Sequence, residues 1–317
     1  MTTTPLTSAS DTRGTRDTRQ SGRRRTAHRP PAVSPHNAAR SRARRRRALI
    51  WIADHTVALA LAVVFVFPIV FILLTSVMTD QQSLTADLWP RHWQWSNYTE
   101  VFRRAPMGLW LRNTLVYALA ATGAMLVSSV PVAYALARFR FRFSNAAFLS
   151  VVTMMMLPPQ VLVIPMYLFW AHLHLTGTVW PLVIPSLFGD AFSVFLLRQF
   201  LLTIPQEYLD AARVDGCGEL KVLFRVVLPM MRPAIAAVAL FQFFSAWNDY
   251  YGPLIYTGEN PAHWTLAVGL AGFKTSQAVE WNLTMAATLI AMAPVVVVFF
   301  LAQRAFIEGV TMTGVKG

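Results

Sequence analysis

Six apolar stretches of about 20 residues or more recur along this chain, near 56–77, 113–137, 146–170, 179–202, 234–256 and 285–303. A helix of that length covers the ~30 Å hydrocarbon core of a bilayer. Lipid offers the backbone no hydrogen-bond partner, so each crossing segment must satisfy its own N–H and C=O groups, which a helix does. The class that follows is an all-α integral membrane protein with six transmembrane helices. The fourth stretch is interrupted by Pro181, Pro185, Gly189 and Asp190. The third carries Pro158, Pro159 and Pro165, which predicts kinks or local unwinding. Charged residues make up 14% of the chain, against about 25% in a soluble domain, and the mean hydropathy is +0.44.

Lysine and arginine give these stretches a direction. The net charge of +13 is concentrated, because residues 1–50 hold 13 Arg against 2 Asp. With the N-terminus inside, the cytoplasmic side takes those arginines with Arg138, Arg140, Arg142, Arg198, Arg213, Lys221, Arg225, Arg232, Arg304 and Lys316. The outer side takes Arg91, Arg103, Arg104, Arg112 and Lys274. This asymmetry places both termini in the cytoplasm. Residues 1–48, rich in Pro, Ser, Thr and Arg, have too little apolar surface to offset chain entropy and read as a disordered basic arm. Such a tail is a candidate for nucleic acid. Arg40 to Arg47, however, abut the first apolar stretch, where they fix topology and meet anionic headgroups, so the expected partner is membrane lipid and not nucleic acid. The first apolar run is too long for a cleaved signal. Trp89, Trp93, Trp95, Trp110, Trp180, Trp264 and Trp281 fall in outer loops and span ends, as interfacial anchors do. Cys217 is the only cysteine, which excludes an intrachain disulfide or a Cys-based metal cluster. His172 and His174 lack further ligands, so no metal or cofactor is expected.

Segment 203–233 is the one long cytoplasmic loop. Thr203 and Pro205 suit a helix start, and Glu207 and Asp210 suit the positive end of its dipole. Gly216 can adopt the left-handed conformation that ends a helix, with Gly218 helping the turn. A second short helix offers an apolar face of Leu220, Leu223, Phe224 and Val227, and Pro229 and Pro233 are expected to break it. Ala211 and Ala212 let a neighbouring surface come close. On these residues alone, the segment is either a docking site for a soluble partner or an interfacial amphipathic helix without one.

Its residue order resembles a known pattern: Asp210-Ala211-Ala212-Arg213-Val214-Asp215-Gly216, nine residues, then Val226-Val227-Leu228-Pro229. This is similar to the EAA loop of permease subunits of bacterial ATP-binding-cassette (ABC) importers, with Asp210 where the family has glutamate. Further pieces stand in family order: Asn113-Thr114-Leu115, Leu157-Pro158-Pro159-Gln160 with Ile164-Pro165, and Phe195-Leu196-Leu197-Arg198-Gln199-Phe200. Trp247-Asn248-Asp249 with Pro253-Leu254 follows, then Trp264 to Leu270, then Gln303 to Gly309 and the ending Gly314 to Gly317. Over about 90–317 the chain resembles the carbohydrate-uptake permeases, in their maltose-type G-subunit branch. The resemblance implies the type I ABC importer permease fold over 49–317, in a bacterial cell membrane. It implies a pore formed with a second permease subunit, usually a different chain. It also implies an ATPase dimer whose cleft seats the coupling helix, and an extracytoplasmic solute-binding protein that delivers sugar. In that branch the C-terminal tail also approaches the ATPase. The residues implied in coupling are Glu207, Asp210, Ala211, Ala212, Asp215, Gly216, Leu228 and Pro229.

None of the three lysines (Lys221, Lys274, Lys316) follows a glycine, whereas a phosphate-binding P-loop needs a Gly-Lys step. ATP hydrolysis is therefore expected in a separate chain, and this one is not an enzyme. Ionisable groups within a span are costly and mark function by default. Asp190 and Asp249 are the only carboxylates inside the six stretches. Asp249, roughly 22 Å along a helix from Ala234, joins Gln242, Trp247, Asn248 and Tyr250 as a candidate sugar-handling patch of ring faces and polar groups. Helix–helix hydrogen bonding is the alternative for Asn248 and Asp249. Asp190, beside helix-breaking Gly189, faces either the pore or a partner permease, and Gln160 is a further candidate on the solute path. A self-sufficient ion-coupled transporter with Asp190 and Asp249 as proton relays is the competing function, but it has no need of the loop pattern. Within the leading class, a solute such as a glycerophosphate competes with sugar. The lack of an evident arginine cluster favours the neutral sugar.

Overall fold

The computed structural model describes residues 35–276 and 280–314, all of them helical or irregular. The first 34 residues of the basic arm, residues 277–279 and Val315–Gly317 lie outside the described residues. The chain divides into two compact units, Met1–Val64 and Phe65–Gly317. Helix α1 spans Pro35–Ser76 and so takes in Pro35 to Ala48, the end of the stretch read from sequence as the basic arm. Alanine and arginine dominate 38–48, both are strong helix formers, and the turns before the apolar stretch continue its helix. Within α1 the apolar segment Leu49–Ser76 is 28 residues long. Its side chains from Leu59 to Val70 are largely exposed, as suits a surface meant for lipid.

In the second unit, α2 (Ser96–Arg104) leads into α3 (Met107–Arg138), which packs against α6 (Ala191–Thr203) and α8 (Arg232–Asn248). Helix α8 in turn packs on α11 (Trp281–Gly314). Alanines sit at these contacts: Ala118, Ala121 and Ala133 on α3, Ala237 on α8, and Ala286 and Ala287 on α11 are all buried. Lipid tails are as apolar as leucine, so helices in a bilayer gain from close backbone approach, and small residues allow it.

Of the six expected spans, the third is a bent helix pair and the fourth is interrupted by a 3-10 turn. In the third, α4 (Ser144–Met154) and the Pro159–His172 segment, which contains α5 (Val163–His172), meet at 91°. The break falls at Met155–Pro158, as the double proline predicts. The fourth is Trp180–Val183, a 3-10 turn over Ile184–Phe188, and then α6. Gly189 between them has φ +90°. Two serines of α3 hold this break: Ser128 Oγ lies 2.9 Å from the Ser186 carbonyl, and Ser129 Oγ accepts from the Asp190 N–H at 3.1 Å.

The fifth span departs from expectation. A continuous helix over 234–256 was expected, but α8 ends at Asn248 and α9 (Tyr251–Thr257) begins afresh. Asp249 between them is extended (φ −66°, ψ 116°) and its Oδ1 accepts from the Gly252 N–H at 3.1 Å. Before α8, Glu219–Met230 meets Arg232–Asn248 at 79°. The helix breaks between Pro229 and Pro233, ahead of the fifth span as the sequence predicts, with Pro229 itself held in the short helix Leu228–Met230. A π-turn over Leu223–Val227 precedes it, a geometry that relieves the clash between a proline ring and the carbonyl four residues earlier. The bend falls at Met231, which is fully buried.

At the opposite end of α3, buried Asn97 ties the start of α2 to the end of α1, donating to the carbonyls of Ser76 (2.9 Å) and Met78 (2.8 Å). Asn113 donates to the carbonyls of Ala262 and Trp264, and Thr114 Oγ1 accepts from the Leu266 N–H at 2.8 Å. These bonds hold the start of α10 (Leu266–Ser276) against α3. Trp89, Trp93, Trp95, Trp180 and Trp281 are exposed, but Trp110 is not the anchor it was read as. It is buried against Trp264 and under Gly269, whose missing side chain leaves room for the indole.

Candidate functional site

The patterned loop folds as helix α7 (Gln206–Val214), a turn, and the short helix Glu219–Val222. Leu209 is fully buried beneath α7, while Glu207, Tyr208, Asp210, Ala211, Val214, Asp215 and Gly216 are exposed. Val214 at the tip is 87% exposed. Gly216 has φ +81°, and its N–H donates to the Arg213 carbonyl while that of Cys217 donates to the Ala212 carbonyl, each at 3.0 Å. The left-handed cap expected from sequence is present. Gly218, by contrast, has an ordinary φ of −72°.

The second apolar face differs from the one expected. Val222, Leu223 and Val227 are buried, whereas Leu220 and Phe224 point outward. The π-turn adds a residue to the turn and so rotates the face. Leu228 is half-buried and Pro229 exposed.

Charged groups fix this loop to α3. Tyr134 Oη donates to Glu219 Oε2 at 2.8 Å, and Arg213 Nε donates to Glu219 Oε1 at 2.8 Å. Arg213 Nη1 reaches Asp210 Oδ1, also at 2.8 Å. Arg138 Nη1 donates to Gln206 Oε1, and Nη2 to the carbonyls of Leu201 and Ile204. The hydrogen bond from Arg213 holds the Glu219 carboxyl below the ordinary glutamate range, and the same bond raises Arg213. Sequence reading had assigned Arg138 to topology alone and had given Glu219 and Tyr134 no role. No local pattern joins residues 85 positions apart, so this contact was not legible.

The candidate solute-path residues are not gathered into one patch. Trp247 and Asn248 line a cavity of about 350 Å³ whose other walls are mostly apolar, including Leu270, Met292 and Val295. Trp247 is itself buried, with Nε1 on the Ala291 carbonyl, and Asn248 donates to its own helix at Phe244. Asp249 instead accepts from Tyr117 Oη at 2.9 Å, so helix–helix bonding describes it. Asp190 is an N-cap: its Oδ2 accepts from the Ser193 N–H at 2.7 Å, a role neither sequence reading considered. Gln160 and Tyr250 are exposed, and Gln242 is half-buried. A second pocket, about 260 Å³, is lined by Arg112, Asn113, Tyr117, His263 and Thr265. Thr265 is buried, and its hydroxyl oxygen has no hydrogen-bond partner among the described residues.

Residues 129–311 match the family described as "Binding-protein-dependent transport system inner membrane component". The chain belongs to this family. The permease is 31% identical over 262 residues to the arabinooligosaccharides transport system permease protein AraQ of Bacillus subtilis (strain 168), covering 81% of this chain and 92% of that one. It is 33% identical over 252 residues to the sn-glycerol-3-phosphate transport system permease protein UgpE of Yersinia pestis bv. Antiqua (strain Antiqua), covering 77% and 89%. A chain in the crystal structure of a bacterial ABC transporter involved in the import of the acidic polysaccharide alginate has the same fold. The TM-score is 0.73 at 23% identity, over 83% of this chain and 98% of the other. The permease is thus a multi-pass membrane protein and the pore subunit of an ABC importer, not an enzyme. Family membership leaves the ion-coupled alternative without support.

Proposed function

We propose that the permease takes up a sugar or oligosaccharide, with ATP hydrolysed by a separate ATPase dimer and solute delivered by an extracytoplasmic binding protein. It pairs with a second, different permease subunit, and both of its termini lie in the cytoplasm. In this reading 203–233 is the coupling loop, and Glu207, Asp210, Ala211, Ala212, Asp215, Gly216, Leu228 and Pro229 form or support the surface that seats in the ATPase cleft. The observation that carries it is the exposure of the patterned face of α7 above a buried Leu209. The outward face mixes Tyr208, Val214, Leu220 and Phe224 with the carboxylates of Glu207, Asp210 and Asp215, a combination that suits a protein cleft better than anionic headgroups, which favour basic residues.

A carbohydrate solute is supported by the arabinooligosaccharide permeases among the relatives. An anionic solute such as glycerol 3-phosphate is the second reading, favoured by Arg112 and His263 around the 260 Å³ pocket and by the UgpE relatives. The complete importer in proteoliposomes, supplied with ATP inside, separates them. ATP-dependent accumulation of arabino-oligosaccharide, unaffected by excess glycerol 3-phosphate, is the expected result. Accumulation of glycerol 3-phosphate alone, lost in Arg112→Gln, would replace the sugar reading by the second.

A further inference from the structure

The bonds between the loop and α3 close into a ring. It starts at Tyr134, passes through Glu219 to Arg213, and continues to Asp210. Gln206 Nε2 donates to the same Asp210 oxygen at 3.3 Å, and Gln206 Oε1 accepts from Arg138, one turn beyond Tyr134 on α3. Gln206, Asp210 and Arg213 follow the i, i+4, i+7 spacing and so share one face of α7. The ring therefore fastens that face at both ends to one face of the last turns of α3.

This arrangement is unlike one that serves stability alone. The side chains of Arg213, Asp210 and Glu219 are 32%, 58% and 42% exposed, and ion pairs so exposed add little to folding. The buried Leu209, Val222 and Leu223 already hold the loop down. What a closed ring adds is direction: a single link lets a helix pivot about it, whereas two links one turn apart resist both sliding and rotation.

We propose that this ring locks the coupling helix to the second span so that the two move as one body during the transport cycle. Tyr134 and Arg138 are then positioning residues, and the carboxylate of Asp210 works inside the permease and not as a charge offered to the ATPase. The proposal rests on the reading of 203–233 as the coupling loop.

The test uses the complete importer in nanodiscs, with Cys217→Ser and nitroxides on Val132→Cys of α3 and Val214→Cys of α7. Distance distributions are compared in the nucleotide-free and the Mg-ATP–vanadate-trapped states. An unchanged, narrow distribution is expected when the ring is intact. In Tyr134→Phe with Asp210→Ala it broadens at least twofold on trapping, and Tyr134→Phe alone, which keeps the buried ring packed, broadens less. Asp210→Asn, which keeps the acceptor without the charge, retains the narrow distribution. Equal widths in ring-broken and intact complexes, or a change of mean distance in the intact one, would overturn the lock. An Asp210→Asn complex that lost ATPase stimulation with its distances unchanged would return Asp210 to the ATPase. In parallel, Val214→Cys is tested for crosslinking to the ATPase. Failure to crosslink, with narrow distances, would overturn the coupling-loop reading itself and reduce the ring to a static brace.

Discussion

Replacing Gly216 by valine isolates the backbone's contribution to coupling. Gly216 sits at φ +81°, and a Cβ built there meets no heavy atom within 4 Å. Any penalty therefore comes from the conformation and not from a clash. Holding an L-residue in the left-handed region costs about 1–2 kcal/mol. That corresponds to a roughly 5- to 30-fold fall in the ratio of native to relaxed turn, the upper bound on the loss of function. The bonds lost when the turn relaxes are Gly216 N–H to Arg213 and Cys217 N–H to Ala212, the two that end α7 where Val214 projects. Solute-stimulated ATP hydrolysis and uptake of the reconstituted importer should fall clearly, by up to that factor, while the complex still purifies intact. Two neighbours serve as controls. Gly216→Asn should keep most activity, since asparagine tolerates the left-handed region, and Gly218→Ala, at φ −72° in open space, should be nearly silent. Full stimulated hydrolysis and uptake in Gly216→Val would refute the reasoning, as would an equal loss in Gly218→Ala.

Other consequences can be checked separately. Gly269→Ala places a Cβ 2.3 Å from the ring of buried Trp110. Overpacking of about 1–3 kcal/mol should lower the thermal midpoint of the detergent-purified permease, and an unchanged midpoint would show that the indole can move. Asp190→Ala should cost about 1 kcal/mol through loss of the α6 cap, while Asp190→Asn should restore both stability and uptake. A stable Asn variant that does not transport would instead assign the carboxylate a role on the solute path. The Glu219 carboxyl is held below its ordinary value. Its contribution is therefore present above the unfolded value, near 4.3, and is lost only as pH falls through the lower folded value. Stimulated ATPase profiles of wild type and Glu219→Gln should run parallel between about pH 6 and 8. A near-neutral inflection present only in the wild type would contradict that assignment.

What was legible in the sequence follows from the range of each interaction. Spans showed because lipid imposes length and apolarity on them, and the left-handed Gly216 showed because only glycine sits there without strain. The double proline marked the bend near Met155, although not its 91° angle. Features built from distant partners did not show. Asp249 reads as an intramembrane charge but not as the acceptor for Tyr117 2.9 Å away, and Asp190 reads as facing the pore or a partner permease but not as the cap bonded to the Ser193 N–H. Pro229 and Pro233 marked the break before the fifth span, but the π-turn ahead of Pro229 is hard to foresee from residue types. Trp110 misled because hydropathy cannot distinguish an indole at the headgroups from one covered by Gly269.

The central claim, that this pore works only with a separate motor, is tested most directly by purifying the tagged permease from its native membranes in mild detergent and identifying what accompanies it. Recovery of an ATPase and a second, different permease subunit in fixed proportion is the expected result. A permease that purified alone or only with itself, and moved solute across liposomes without ATP, would contradict the account.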